Sequence, residues 1–205
     1  MRFAVKNIGL WISLGFNLFL FTQYWMDPSQ SRSVVFLFWM QAIIAGVECL
    51  IKMIFAKPIE VGSAASEDSP VGWFQKVFLS IFFIIHFGIF ILFTGALAVF
   101  NKAVSGGLAF ASWVWPSMIL LCIAAVIELP SKVTRSRSRG TSAFILMFQP
   151  YVKLIPLAAI VLGSEFLQVQ WVFPVFLLLK LGADLFYAAV VEGSWSKGFS
   201  PSASV

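Results

Sequence analysis

Six long apolar runs dominate this sequence and restrict it to membrane architectures. A helix crosses the hydrocarbon core of a bilayer with about 20 predominantly apolar residues, and each run is close to that length. Hydrophobic residues make up 60% of the 205 residues and charged residues only 11%, whereas a soluble domain carries roughly 25% charge. Only helices and closed barrels satisfy their backbone groups in lipid, and no strand-like alternation occurs. The sequence predicts an all-α integral membrane bundle, one domain over 1–205, with spans at 7–26, 34–55, 73–100, 111–129, 143–164 and 171–191.

The distribution of basic residues predicts the orientation of the bundle. With the N-terminus in the cytoplasm, ten of the 14 lysines and arginines lie inside, two lie outside (Arg32 and Lys102) and two lie within spans. Cytoplasmic loops of membrane proteins carry an excess of Lys and Arg. We therefore expect both termini in the cytoplasm. The net charge of +5 does not indicate nucleic acid, because the basic residues flank apolar spans.

Ionisable side chains inside four of the predicted spans are the candidate functional residues. Such groups are costly in a membrane and usually face the bundle interior. Glu48 precedes Lys52 by four residues, and Lys180 precedes Asp184 by four, so each pair shares a helical face. We expect acids and lysines to neutralise one another across helices, and at least one of Lys180 and Asp184 to have a charged or amide partner on another helix. The predicted intramembrane polar network is Gln41, Glu48, His86, Lys153, Lys180 and Asp184.

His86 is the single histidine of the chain and lies near the middle of span three. Phenylalanines share its side of the helix, and Gly88 and Gly95 lie opposite, where small residues permit close packing. Both faces look suited to burial, so we expect span three to be central. A neutral imidazole has one donor and one acceptor, and we expect it to bond a neighbouring helix. The candidate partners are Gln41, Glu48, Tyr151 and a carbonyl freed by Pro156.

Two other roles stay open for His86. An imidazole inside a membrane can relay protons or sense pH. It is also a common axial ligand of haem and of chlorophyll-type metals, although one histidine excludes a bis-histidine haem within this chain. We predict no cofactor and keep the haem or chlorophyll-type ligand at His86 as the alternative.

The segment 131–142 is the most basic part of the chain and is predicted to be a cytoplasmic loop. Basic clusters beside a span set topology, and they also attract anionic lipid headgroups. We expect the first role and keep contact with anionic headgroups or an acidic partner as the second. The basic residues of the segment are Lys132, Arg135, Arg137 and Arg139.

Motifs of enzyme active sites are not found in the sequence. It contains no G-x-S-x-G, no H-E-x-x-H and no phosphate-binding loop. Cys49 and Cys122 fall inside apolar runs without metal-ligand spacing, so we expect both to pack as small hydrophobic residues. The sequence predicts no metal site and favours a protein that is not an enzyme.

Three stretches of the chain resemble an uncharacterised family of bacterial multi-pass inner-membrane proteins, with the pattern His-Tyr/Phe-Gly-x-Phe. They are FLFWMQAIIAGVECLIKMIFA in span two, IIHFGIF in span three and FQPYVKLIPL in span five. Gln41 stands where the family has Glu, and no His follows Lys153, so a Glu–His–His site would lack two members here. The resemblance implies the bacterial cytoplasmic membrane and supplies no activity. The matching residues are His86, Phe87, Gly88, Phe90, Pro150, Tyr151 and Lys153.

Three functions fit these features. The favoured one is a non-catalytic structural or accessory subunit of a larger membrane complex, because the chain lacks both a catalytic motif and a large loop domain. The second is a small transporter or channel that uses the polar network as its path. The third is a haem-, pigment- or quinone-binding subunit that uses His86. The expected partners are the lipid bilayer and other membrane subunits.

Overall fold

The computed structural model describes residues 8–56, 70–100, 110–138, 140–141, 143–163 and 169–187. These residues form six α-helices and a short 3-10 turn, Pro28–Gln30, and they contain no strand. The all-helical class predicted from the apolar runs is confirmed. The helices are α1 (Ile8–Met26), α2 (Ser31–Ile54), α3 (Pro70–Phe100), α4 (Val114–Ser138), α5 (Ala143–Gly163) and α6 (Val169–Phe186).

Three helical segments in the described residues are long and apolar enough to cross a membrane: Pro28–Ile54, Trp73–Ala96 and Val114–Ser138. A shorter apolar segment, Ala143–Ala159, lies in α5. These lengths and compositions indicate a membrane protein. The number of six spans, the single domain and the cytoplasmic termini stay predictions.

A capped turn joins α1 to α2. The Asp27 carboxylate accepts hydrogen bonds from the Ser29 hydroxyl (2.5 Å), the Ser29 backbone N–H (3.1 Å) and the Gln30 amide (2.7 Å). These bonds favour the ionised form and hold the pKa of Asp27 below its ordinary value, with the Ser29 hydroxyl as the largest cause. Pro28 occupies the first position of the turn, where a missing N–H is tolerated. The second helix therefore begins at once, at Ser31.

α2 lies at the centre of the described bundle. It packs against α3, α4 and α5, and more than half of its residues are buried. Small residues on its buried sides, including Ala42 and Gly46, let neighbouring elements come close. A Cβ atom built on Gly46 would overlap the ring of Phe87 in α3. Toward α6, the ring of Phe38 meets that of Phe176 edge to face, with centroids 5.0 Å apart.

A proline in α5 explains the position of Cys49. Pro150 has no N–H, so the carbonyl of Leu146, four residues earlier, is left without its helical donor. The Cys49 thiol of α2 donates to that carbonyl at 3.0 Å. One turn further along, Lys52 donates to the side chain of Gln149 at 2.7 Å. Cys49 is thus a buried small residue, as expected, but it also supplies a hydrogen bond between two helices.

The structure contradicts the central position expected for span three. Only 22% of the membrane-crossing part of α3 is buried. The His86 side chain lies on the exposed surface of the helix. Gly95 does meet α2, because a Cβ there would lie 3.0 Å from the ring of Trp39, but Gly88 has open space around it. The sequence between Lys76 and Lys102 holds no charged residue, so nothing obliges this helix to turn inward.

The structure also contradicts the loop predicted to follow span four. α4 continues through Pro130 to Ser138, so most of the 131–142 segment is helical. Lys132 accounts for this continuation, because it pairs with Glu128 one turn earlier and with Glu48 of α2. An ion pair at this spacing supports a helix, and the second pair fastens the extended end to the bundle.

Candidate functional site

A cavity of about 100 Å³ lies among the helices. It is lined by residues of α1, α2, α4, α5 and α6 and by Tyr187 directly after α6. This volume is well above the minimum of about 10–15 Å³ that holds one water molecule. In the predicted topology the cavity occupies the cytoplasmic half of the bundle. The ionisable groups among its lining residues include Glu48, Glu128, Lys132, Lys153 and Asp184.

One wall of the cavity is a three-residue ion-pair cluster between α2 and α4. The Lys132 ammonium lies 3.0 Å from both carboxylate oxygens of Glu48 and 3.0 Å from a carboxylate oxygen of Glu128. The side chains of Lys132 and Glu128 keep 18% and 22% exposure, while that of Glu48 keeps 10%. The cluster therefore connects the interior to the more accessible end of the cavity.

The opposite wall is built on Asp184 of α6. Its Oδ2 atom accepts three hydrogen bonds, from Lys180 at 2.5 Å, from the Asn17 amide at 2.7 Å and from the Ser13 hydroxyl at 3.1 Å. Lys180 is 2% exposed, so its ammonium relies on this carboxylate for neutralisation. Asn17 and Ser13 belong to α1, and the contact therefore ties α6 to α1. The expected amide partner on another helix is Asn17.

The other oxygen of Asp184 has a different environment. Oδ1 is buried and has no hydrogen-bond partner among the described residues, and the same holds for Oε1 of Gln41. Both side chains line the cavity. A buried acceptor without a donor is costly. Two buried acceptors without donors therefore belong to side chains that line the cavity.

Lys153 of α5 is the cation of the cavity without a carboxylate partner in the described part of the chain. Its ammonium lies over the ring of Tyr187, 4.7 Å from the centroid. A cation over an aromatic face is stabilised by the ring quadrupole while its N–H donors stay available. Lys153 therefore places an available positive charge in the same cavity as the unpartnered oxygen of Asp184.

The structure separates His86 from the rest of the predicted network. Gln41, Glu48, Lys153 and Asp184 line one cavity, and Lys180 lies behind Asp184. His86 instead contacts α5, where its Nδ1 atom is 2.5 Å from the hydroxyl of Tyr151. Tyr151 is one of the four partners proposed for His86 from the sequence. The interaction exists at an exposed surface and not in the buried centre that we expected.

Lys132 also differs from its sequence-based interpretation. Contact with anionic headgroups or an acidic partner was kept as its second role, but its ammonium is held between two carboxylates of the same chain. Arg135 and Arg137 are exposed at the end of α4, and Arg139 lies outside the described residues. Contact of these arginines with anionic headgroups stays a prediction.

Sequence reasoning missed the α1 side of the site. Ser13 and Asn17 are four residues apart in the first apolar run, so they share one helical face. This spacing is the same signal that revealed the polar stripe of span two. Uncharged polar residues are cheaper to bury than charges, so two of them in an apolar run do not by themselves indicate a site. Glu128, at the end of the predicted span four, also lines the cavity.

Comparison with known proteins gives a family without an assigned role. The profile of a family of unknown function, DUF6498, matches residues 3–197, and the chain belongs to that family. No curated protein and no solved structure matches the chain. The family match agrees with the resemblance to an uncharacterised family noted above.

Proposed function

We propose that this member of a family of unknown function is a small membrane transporter whose cavity carries protons across the bilayer. The observation that supports this most is the environment of Asp184. One of its oxygens is saturated by three donors, and the other is buried without one. An ionisable group that is incompletely satisfied inside a membrane bundle is a candidate carrier of protons.

The two oxygens of the Asp184 carboxylate differ, and the unpartnered one, Oδ1, is the proposed site of protonation. Oδ1 is buried, so the proposed step includes a local opening toward the cavity that lets it take a proton from hydronium, which forms an O–H bond and leaves water behind. The three hydrogen bonds on Oδ2 keep their donors during this step. The new O–H then needs an acceptor, and the unpartnered Oε1 of Gln41 lines the same cavity. Lys153 also lines the cavity. Its positive charge stabilises the ionised carboxylate of Asp184 and therefore favours release of the proton.

The orientation belongs to the same proposal. We place the protein in the bacterial cytoplasmic membrane with both termini inside, from the ten-to-two distribution of basic residues. A Ser138→Cys variant tests it, in a background where the exposed Cys122 is serine. A membrane-impermeant maleimide should label position 138 only after the membrane is opened, and a Ser29→Cys variant should be labelled in intact cells. The reverse pattern would invert the topology.

Proton flux into proteoliposomes tests the function. Vesicles that contain the purified protein and an internal pH-sensitive dye receive a potassium diffusion potential, negative inside. The wild type should acidify the lumen faster than vesicles without protein. Asp184→Asn keeps the size of the side chain and removes its titration, so the protein-dependent rate should fall at least about tenfold.

Two further variants make this experiment decisive. Asp184→Asn leaves Lys180 without its counter-charge, and the double change Lys180→Met with Asp184→Asn removes that imbalance while it still abolishes flux. Asp27→Asn is the matched control, because the same chemical change is made in the turn between α1 and α2, and it should keep the wild-type rate. A wild-type rate equal to that of empty vesicles, or an unchanged rate in Asp184→Asn, contradicts the proposal.

A subunit role in a larger membrane complex is the second candidate, and α4 supports it. Only 6% of the membrane-crossing window of α4 is buried, so another transmembrane partner has a whole helix side to pack against. Cys122 lies exposed on this helix, while Cys49 is buried. A thiol-reactive crosslinker in native membranes should capture a stoichiometric partner at Cys122 and lose it in Cys122→Ser. Native mass spectrometry from mild detergent that finds the chain alone contradicts this role.

A further inference from the structure

The exposed surface of α3 contains a second site, centred on His86 and separate from the cavity. The Nδ1 atom of His86 is engaged by the Tyr151 hydroxyl at 2.5 Å. The Nε2 atom has no hydrogen-bond partner among the described residues, and the side chain is exposed. The helix is one of those long and apolar enough to cross a membrane. A polar side chain therefore lies on the exposed surface of a helix that is apolar enough to contact lipid.

Tyr151 decides the chemistry that His86 presents. When the Tyr151 hydroxyl donates to Nδ1, the imidazole proton resides on Nε2, because a neutral imidazole carries one N–H. Nε2 is then a hydrogen-bond donor on an exposed side chain. Hydrocarbon offers it no acceptor, and an unsatisfied donor in lipid is costly. The site therefore suits a lipid-soluble molecule with a carbonyl oxygen.

Aromatic rings surround the imidazole. Phe82 stacks on it with centroids 5.3 Å apart and planes within 12°, and Phe90 meets it edge to face at 5.1 Å. Phe82 and Phe90 are both exposed themselves. Flat rings pack well against such surfaces, in stacked or edge arrangements. We propose that His86, Phe82, Phe90 and Tyr151 form a membrane-facing site for the headgroup of a quinone, whose carbonyl accepts the Nε2–H bond.

The residues around His86 favour a quinone over a transmembrane helix of another protein. Interfaces between membrane helices are enriched in small residues that let backbones approach. The side of α3 that carries His86 has large aromatic side chains instead, and the nearby Gly88 lies on the other side of the helix. A planar ligand can insert between the phenylalanine rings, whereas a second backbone is kept at a distance by them.

Binding of decylubiquinone to the protein in lipid nanodiscs tests the site. The wild type should bind this probe saturably. His86→Leu removes the donor, so it should raise the dissociation constant at least about tenfold. Tyr151→Phe keeps the ring and removes the hydroxyl that fixes the tautomer, so it should weaken binding by a smaller factor. Ile89→Leu is the matched control on the same helix, exposed like His86 and outside the site, and should bind as the wild type does.

Other results of these experiments would contradict the quinone site or give the surface around His86 a different role. Equal affinity in the wild type and both site variants overturns the proposal. A Soret absorbance band in the purified wild type that is lost in His86→Leu assigns His86 to a haem instead. A polypeptide that co-purifies with the wild type and is lost in His86→Leu assigns the surface to a protein partner. If His86→Leu fails to fold by circular dichroism, Tyr151→Phe decides the question alone.

Discussion

α2 and α3 look alike in the sequence and occupy opposite places in the structure. Their membrane-crossing windows have mean hydropathies of 2.2 and 2.6, yet 50% of the α2 window is buried and only 22% of the α3 window. The less hydrophobic helix is the central one. In a soluble protein the relation is the reverse, because the most apolar helix is normally the most buried one.

The reason lies in what the surroundings of a membrane protein offer. Lipid satisfies an apolar side chain as well as a protein interior does, so hydropathy gives no drive toward the centre. A polar side chain finds its partners only within the bundle. α2 carries Glu48, Cys49 and Lys52, which all bond side chains or carbonyls of α4 and α5. After Lys76, the one ionisable side chain of α3 is His86, and it stays at the surface.

Removal of the most buried counter-charge should have the largest effect. Asp184→Ala deprives Lys180 of its carboxylate and also removes the acceptor of Asn17 and Ser13. The loss of one partner of a buried pair costs about 3–5 kcal/mol. We expect the free energy of unfolding, measured by steric trapping in bicelles, to fall by that amount.

The double change Lys180→Leu with Asp184→Ala is the control for this prediction. It removes both charges, so the protein should be more stable than the Asp184→Ala variant alone. A double variant that is clearly less stable than the single one contradicts the interpretation that Asp184 neutralises Lys180.

Substitution of one glycine in each helix compares the packing of α2 and α3 directly. Gly46→Ala in α2 places a methyl group against the ring of Phe87 and should cost about 1–3 kcal/mol, as overpacking does. Gly88→Ala in α3 meets open space and should leave stability unchanged or raise it by up to about 1 kcal/mol, because alanine favours helix. Thermal unfolding in one detergent measures both. Equal losses at the two positions would mean that α3 is packed on the side of Gly88 as well.

Substitutions of the two cysteines compare the stability of the buried centre with that of the exposed surface. Cys49→Ala leaves the carbonyl freed by Pro150 without a donor and should lower stability by about 1 kcal/mol. Cys49→Ser retains a donor and should recover part of the loss. Cys122→Ala, at an exposed site of α4, should change thermal stability little. A loss at Cys122 as large as at Cys49 points to an interface on α4.

His86 should give the smallest effect on stability. Its bond to Tyr151 lies at the surface, and hydrogen bonds between membrane helices average about 0.6 kcal/mol. His86→Leu should therefore lower the unfolding free energy by about that amount, and His86→Gln should change it less. A loss of several kcal/mol on His86→Leu would show that the residue is buried in the assembled protein, and the comparison between α2 and α3 would need revision.

The sequence by itself determined the local features of this protein. The predicted runs match the helices to within about three residues at most ends, because helix length follows from apolar composition. Two ends differ by more: α4 runs nine residues beyond the expected end at 129, to Ser138, and α6 is given to Phe186, five residues before the expected end at 191. The pair Lys180–Asp184 followed from a spacing of four residues. The contact of His86 with Tyr151 was one of four alternatives, and the sequence did not rank them.

Only the tertiary structure decided how the helices are turned toward one another. Helical spacing gives the face on which a residue lies, but the direction of that face depends on the packing of all neighbours. Lys132 is inward because Glu48 of another helix meets it. His86 is outward because the adjoining side of α3, with Phe83 and Phe87, is the side that packs on the bundle. The cavity has the same origin, since its lining residues come from five helices. A site shared by so many elements has no signature within any one segment of the sequence.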